Sequence, residues 1–231
     1  MHLAALSSLF LGTIVVLGSP IIRRRDIEPD FDHCPDYCAG TSNGTDGSDS
    51  SAYVCGDKRL GPVVMPTEGP VKDLLTTYRY LGGLCPQHFL KKYTNRPNDT
   101  SLAKYEYPKD SGFTYDTPGA IANHTYTLET GTYVDRFGSE RGTYLAPAGT
   151  PYAMRSLPPD NLITYDQSHP YNYYVYKVAI DFEVGAGPIA PYFGQPGLGL
   201  QFSLNSRVEQ LVNEGKLLRV NLTTEKYWEY W

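Results

Sequence analysis

The sequence predicts an α+β fold, mainly antiparallel β, with a small disulfide-stapled lobe at its N-terminal end. Three observations carry that expectation. The 231-residue chain holds 20 Tyr and 18 Pro, which favours short aromatic strands and irregular turns over a helical bundle. Beyond residue 112, β-branched and aromatic runs alternate with Gly and Pro. All four cysteines, Cys34, Cys38, Cys55 and Cys85, fall before that point. The length suits one ordinary domain with a leader and a small appendage, and 41% hydrophobic residues suffice for a core.

In chain order, residues 3–17 form an apolar run followed by Gly18 and Ser19, the pattern of a secretory signal over 1–19. The run is short for a membrane span, so no stable membrane insertion is expected. Ile21-Ile22-Arg23-Arg24-Arg25 then looks like a basic processing site that ends a short pro-segment over 20–25.

The unit over 26–111 is poor in large aliphatic residues. Four cysteines in an exported chain imply two disulfides, with three connectivities open, rather than a zinc site, since only Cys34 and Cys38 lie close. The run 43–51 reads as a flexible loop, 71–80 as a short helix stopped by Gly82-Gly83, and 87–93 as a second helix. Sequons at Asn43, Asn98, Asn123 and Asn221 agree with export and mark a glycoprotein.

The unit over 112–231 carries the sheet. Residues 173–182 read as its clearest strand, with Lys177 and Asp181 on one face. A further strand is expected over 198–204, a short amphipathic helix over 206–214 ahead of Gly215, and strand character over 217–222.

The chemistry gathers in 134–159, where Arg136, Arg141 and Arg155 are interleaved with Phe137, Tyr144 and Tyr152. Planar guanidinium forks suit phosphate or carboxylate, and flat rings suit bases. A net charge of −5 gives no basic footprint, so no nucleic acid is expected as a partner. The glycine-rich run 184–199 contains neither a dinucleotide fingerprint nor a phosphate-loop lysine, and reads as turns around one fixed polar side chain, Gln195. His2, His33, His88, His124 and His169 form no metal-binding pattern, and Ser139 and Ser156 lie in no nucleophile elbow.

The ordered series Asp135-Arg136-Phe137-Gly138, Gly149-Thr150-Pro151-Tyr152, Arg155-Ser156-Leu157-Pro158-Pro159, Tyr174-Val175-Tyr176 and Phe193-Gly194-Gln195-Pro196-Gly197 resembles the tuberculosis necrotizing toxin family of NAD glycohydrolases. The resemblance covers about 115–231, and the full chain resembles the secreted surface enzymes of filamentous fungi. It implies a compact β-rich catalytic domain that cleaves the nicotinamide–ribose bond of NAD+, with NADP+ as a candidate second substrate.

Carried over by residue, the resemblance makes Arg136 and Gln195 the catalytic pair. It sets Phe137 against a ring of the ligand, Arg155 near the phosphates, and Thr143 and Tyr144 in the pocket wall. It also implies a homodimer at the cell surface or in the medium. Some fungal members hold calcium near the C-terminus. Here Glu209, Glu214, Glu225 and Glu229 are the only carboxylates after Asn205, so neither calcium nor any other cofactor or metal is expected. The alternatives are an ADP-ribosyl cyclase or transferase on the same fold, and a non-catalytic surface glycoprotein.

Overall fold

The computed structural model describes residues 25–26, 32–41, 50–95 and 104–222. The leader over 1–19, the segment 20–25 except Arg25, the sequons Asn43 and Asn98, and the carboxylates Glu225 and Glu229 lie outside them. No helix among the described residues is long and apolar enough to cross a membrane.

The expected antiparallel sheet is present and has seven strands. β1 (Arg25–Asp26) and β2 (Val64–Met65) form a small ladder, and β3 (Tyr115–Thr117) pairs with β4 (Ala120–Ile121). The main sheet takes β5 (His124–Leu128), β6 (Tyr133–Phe137), β7 (Tyr144–Pro147), β8 (Tyr173–Val178), β9 (Phe182–Pro188), β10 (Leu200–Ser203) and β11 (Leu217–Arg219). Their spatial order is β11-β8-β6-β7-β10-β9-β5.

The centre of this sheet is covered on both faces, which explains the unbroken aromatic run of β8. Side chains alternate along a strand. Tyr173 and Val175 enter one apolar cluster with Val71 and Leu74 of helix α1 (Gly69–Leu74). Tyr176 and Val178 enter another with Val208 and Leu211 of helix α3 (Val208–Asn213). Lys177, the exposed residue of β8, stands opposite Tyr133 in the register and lies over its ring, with its nitrogen 5.5 Å from the centroid.

Three boundaries differ from the expectation. The run 173–182 is two strands, because the chain turns between Val178 and Phe182. Asp181 sits in that turn and accepts hydrogen bonds from the Thr130 amide at 2.7 Å and hydroxyl at 2.6 Å, so it shares no strand face with Lys177. The glycine-rich run contains most of β9 rather than turns alone. A Cβ on Gly187 would stand 1.7 Å from the Ala122 carbonyl, so glycine is what lets the chains pass there. The first helix ends at Leu74 and resumes only as a 3-10 turn over Tyr80–Gly83.

The N-terminal region forms both expected disulfides, and their pairing is Cys34–Cys85 and Cys38–Cys55. They close loops of 51 and 17 residues in sequence separation. Cross-links of that reach contribute roughly 3–4 kcal/mol each by restricting the unfolded chain. Helix α2 (Pro86–Tyr93) starts on a proline, where the missing N–H costs nothing, and turns Phe89, Leu90 and Tyr93 inward. Their cluster includes Leu60, Leu81 and, from the far side of the chain, Phe193.

Candidate active site

The sheet positions the site through β6 and the loop that follows it. Arg136 and Phe137 are consecutive strand residues and therefore point to opposite faces. Phe137 is buried edge-on against Tyr152, with centroids 4.9 Å apart, and tilted against Tyr173 at 4.7 Å. Arg136 turns the other way and ties both ends of the β6–β7 loop. Its Nε donates to the Ser139 carbonyl and its Nη1 to the Tyr144 carbonyl, each at 2.8 Å.

Gly142 is needed for that posture. A Cβ there would lie 1.9 Å from Arg136 Nη2. Gly138, at φ 121, turns the chain out of β6 and stands beside the same guanidinium. Burial pulls the Arg136 guanidinium below its ordinary value, with Tyr176 and Tyr107 pulling it back up. Among the described residues it has no carboxylate within ion-pair distance.

Arg155 is arranged in the opposite way. It is 5% exposed, and its Nη2 donates to Asp135 Oδ2 at 2.8 Å. Its Nη1 stands 2.6 Å from Oδ1 as an ion-pair contact outside hydrogen-bond geometry. Nε and Nη2 also donate to the Thr150 carbonyl, at 2.8 and 2.6 Å. Asp135 is fully buried and takes further bonds from the Tyr173 hydroxyl at 2.8 Å and the Gly149 amide at 3.1 Å. Burial pushes the Asp135 carboxyl up, against the lowering pull of these partners. Arg155, expected near the phosphates, lines the cavity while bonded to Asp135 and Thr150, and its guanidinium lies 5.2 Å over the Phe137 ring.

Five of the six residues expected at the site, Arg136, Phe137, Thr143, Tyr144 and Arg155, line one cavity of about 400 Å³. That volume falls in the range of small-molecule sites. Among the described residues that line it there is no Asp or Glu. Arg141 is exposed and lies outside the lining.

Gln195 is not in that lining. It is buried, 4% exposed, with Nε2 donating to the Arg79 carbonyl at 2.7 Å. Its Oε1 is buried without a hydrogen-bond partner. Tyr107 connects the two places, since it lines the cavity and meets the ring of Phe193 edge-on at 5.6 Å. Asp160 is part-buried, its carboxyl is pushed up to about 7 by burial, and its Oδ1 is enclosed without a donor. Its neighbour Asn161 lines the cavity and donates to the Phe137 carbonyl at 3.1 Å.

Sequence reasoning missed Tyr107, Gly142, Asn161 and Gln201 in this wall. Gln201 donates to the Ser111 carbonyl at 2.9 Å and so closes β10 against the linker that enters the sheet. No spacing rule links residue 107 to 201. Gly142, between Arg141 and Thr143, was the one signal available, as a glycine where a long side chain passes.

The profile of the tuberculosis necrotizing toxin family matches residues 127–220. The conidial surface nicotinamide adenine dinucleotide glycohydrolase of Aspergillus fumigatus is 49% identical over 189 residues, covering 81% of this chain and 77% of that protein. Among solved structures, tuberculosis necrotizing toxin complexed with its immunity factor aligns at 25% identity and a TM-score of 0.39. That match covers 50% of this chain and 62% of the toxin chain, so this chain spans less than two thirds of it. Rhs1-CT in complex with its cognate immunity protein aligns at 14% identity and a TM-score of 0.31, over 49% of this chain and 83% of that one. With a relative 49% identical over 77% of its length and the family profile lying over β6 to β11, the chain belongs to the tuberculosis necrotizing toxin family.

Proposed function

We propose that this protein is an NAD+ glycohydrolase that converts NAD+ and water to ADP-ribose, nicotinamide and a proton. The observation that carries the reading is the character of the cavity: an arginine without a carboxylate partner, aromatic faces, and no acidic residue in the described lining. Ordinary glycosidases need two carboxylates, one of them to protonate the leaving group. Nicotinamide in NAD+ is already cationic and departs neutral, so no general acid is required. A cavity without Asp or Glu suits that substrate and does not suit an uncharged glycoside.

The work left to the protein is to hold the dinucleotide and stabilise an oxocarbenium-like transition state. Arg136 is the residue for the pyrophosphate, because its bonds to Ser139 and Tyr144 use Nε and Nη1 and not Nη2. Binding energy from that end of the substrate becomes positioning at the ribose. Phe137, Thr143 and Tyr144 shape the wall, and Arg155 holds Phe137 in place. Gln195 is the residue for the ribose, with Oε1 as an acceptor that suits hydroxyls or developing positive charge.

Secretion or display at the cell surface belongs to the same reading, supported by the leader pattern and by the surface location in the relative's name. Glycosylation at Asn123 and Asn221 is supported by the exposure of both. Homodimerisation rests on the family resemblance.

The test is nicotinamide release from NAD+ by full-length protein made in a secretory host, with the second product identified. ADP-ribose is expected. Cyclic ADP-ribose as the main product would move the assignment to a cyclase, and no turnover would remove it.

A further inference from the structure

We infer that the cystine-linked N-terminal region is part of the catalytic apparatus: the Arg79 carbonyl and the Tyr80–Gly83 turn are a positioning element that fixes the side-chain amide of Gln195. The inference rests on the reading of Gln195 as the residue that meets the ribose. It goes beyond that reading by naming what orients the residue, and by placing that element outside the segment the family profile covers.

The two ends of an amide are chemically different, since the nitrogen donates and the oxygen accepts. In Gln195 the nitrogen has two carbonyl partners, Arg79 at 2.7 Å and Phe193 at 3.5 Å, while the oxygen has none. A flipped amide would set its oxygen against the Arg79 carbonyl and leave the nitrogen without an acceptor. The Arg79 carbonyl therefore selects the orientation in which Oε1 is the end left without a partner, the end that the proposed reading gives to the ribose. That is the orientation an electron-poor ribose needs.

The geometry around this bond is tight on both sides. Gly82 and Gly194 meet backbone to backbone, and a Cβ on either would come within 2.6 Å of the other's Cα. Both have positive φ, 61 and 69°. The turn is held from its own side by buried Leu81, by the Tyr80 hydroxyl donating to the Leu60 carbonyl, and by the Cys85–Cys34 bridge just beyond it. The loop carrying Gln195 is held by Phe193, seated 5.2 Å from Tyr93 and 5.3 Å from Tyr105.

The experiment compares Gln195→Ala, Gln195→Glu and Gly82→Ala in the full chain, measuring kcat and KM for NAD+ across pH, with a melting curve for each. Gln195→Ala is expected to lose about a hundredfold or more in kcat. Gln195→Glu cannot donate to the Arg79 carbonyl as a carboxylate but can as a neutral acid. Its kcat is therefore expected to rise relative to wild type as pH falls from about 8 to about 5, a limb that a purely structural role would not create. Gly82→Ala should lower kcat by about ten- to a hundredfold with KM changed less than about threefold.

If Gln195→Ala is inactive while the Gln195→Glu profile parallels wild type and Gly82→Ala keeps its kcat, the positioning role is wrong and the reading of Gln195 stands. If Gln195→Ala keeps wild-type turnover, both fall. Should Gly82→Ala fail to fold, the Gln195→Glu profile decides by itself.

Discussion

Arg155 and Arg136 reach the same cavity from one stretch of chain, and their surroundings differ in every respect that matters for function. Arg155 is nearly sealed, with a buried carboxylate against it and a backbone carbonyl behind. Arg136 is half-buried and bonded to two carbonyls, with no counter-charge among the described residues. The carboxylates mirror this. Asp135 has Arg155, while Asp160 has no donor for Oδ1 and is pushed up to about 7. Paired charges here belong to the framework, and unpaired ones face or flank the cavity. Charge without a partner is costly to keep in a fold, so where it persists beside a cavity it marks what the ligand must supply.

The largest effect expected from breaking this contrast is Arg155→Ala. It strands the Asp135 carboxylate in the core and should lower stability by about 3–5 kcal/mol, read from the urea midpoint. Asp135→Ala should be of similar size, and a double change smaller than the sum of the two.

Asp160→Asn comes next and depends on pH. The folded protein holds the proton between the ordinary value of 3.8 and about 7, whereas the unfolded chain has released it. Wild-type stability therefore falls as pH rises through that window and is level above it. The Asn variant should match wild type near pH 4 and exceed it near pH 8 by at most about 4 kcal/mol. Parallel stability curves across that range would show that Asp160 is solvated.

Gly142→Ala leaves the Arg155–Asp135 ion pair alone and displaces only the unpaired arginine. With the new Cβ about where Nη2 now lies, kcat/KM should fall about 10- to 100-fold, and stability should change by about 1 kcal/mol. The smallest effect belongs to Glu140→Gln. Glu140 takes hydrogen bonds from the Tyr176 hydroxyl at 2.9 Å and from Arg219 at 2.6 and 2.8 Å, tying the β6–β7 loop to β8 and β11. Arg219 is half exposed, so a change of about 1 kcal/mol or less is expected.

How far the sequence reveals this arrangement differs by residue. The β6–β7 wall was legible because Arg136, Phe137, Thr143 and Tyr144 lie in one continuous stretch whose local pattern already departs from a core strand. The different fates of Arg136 and Arg155 were not legible, since the partner that separates them, Asp135, sits beside one in sequence and beside the other in space. The end of β8 was missed because Ala179-Ile180-Asp181 continues an alternating pattern and contains no Gly or Pro. The turn is stabilised instead by Thr130, far away in the chain. The disulfides were expected and their pairing was not, because connectivity depends on how α2 packs. The contact of Gln195 with Arg79 joins residues 116 apart, and no local pattern records it.

The central claim is that Arg136 is kept unpaired for the dinucleotide while Arg155 holds the frame. It is tested most directly by nicotinamide release from NAD+ by Arg136→Ala, assayed well below its melting temperature beside wild type. The account predicts a loss of about a hundredfold or more in kcat/KM, with stability within about 1 kcal/mol of wild type. An Arg136→Ala enzyme that turns over NAD+ at the wild-type rate would contradict it.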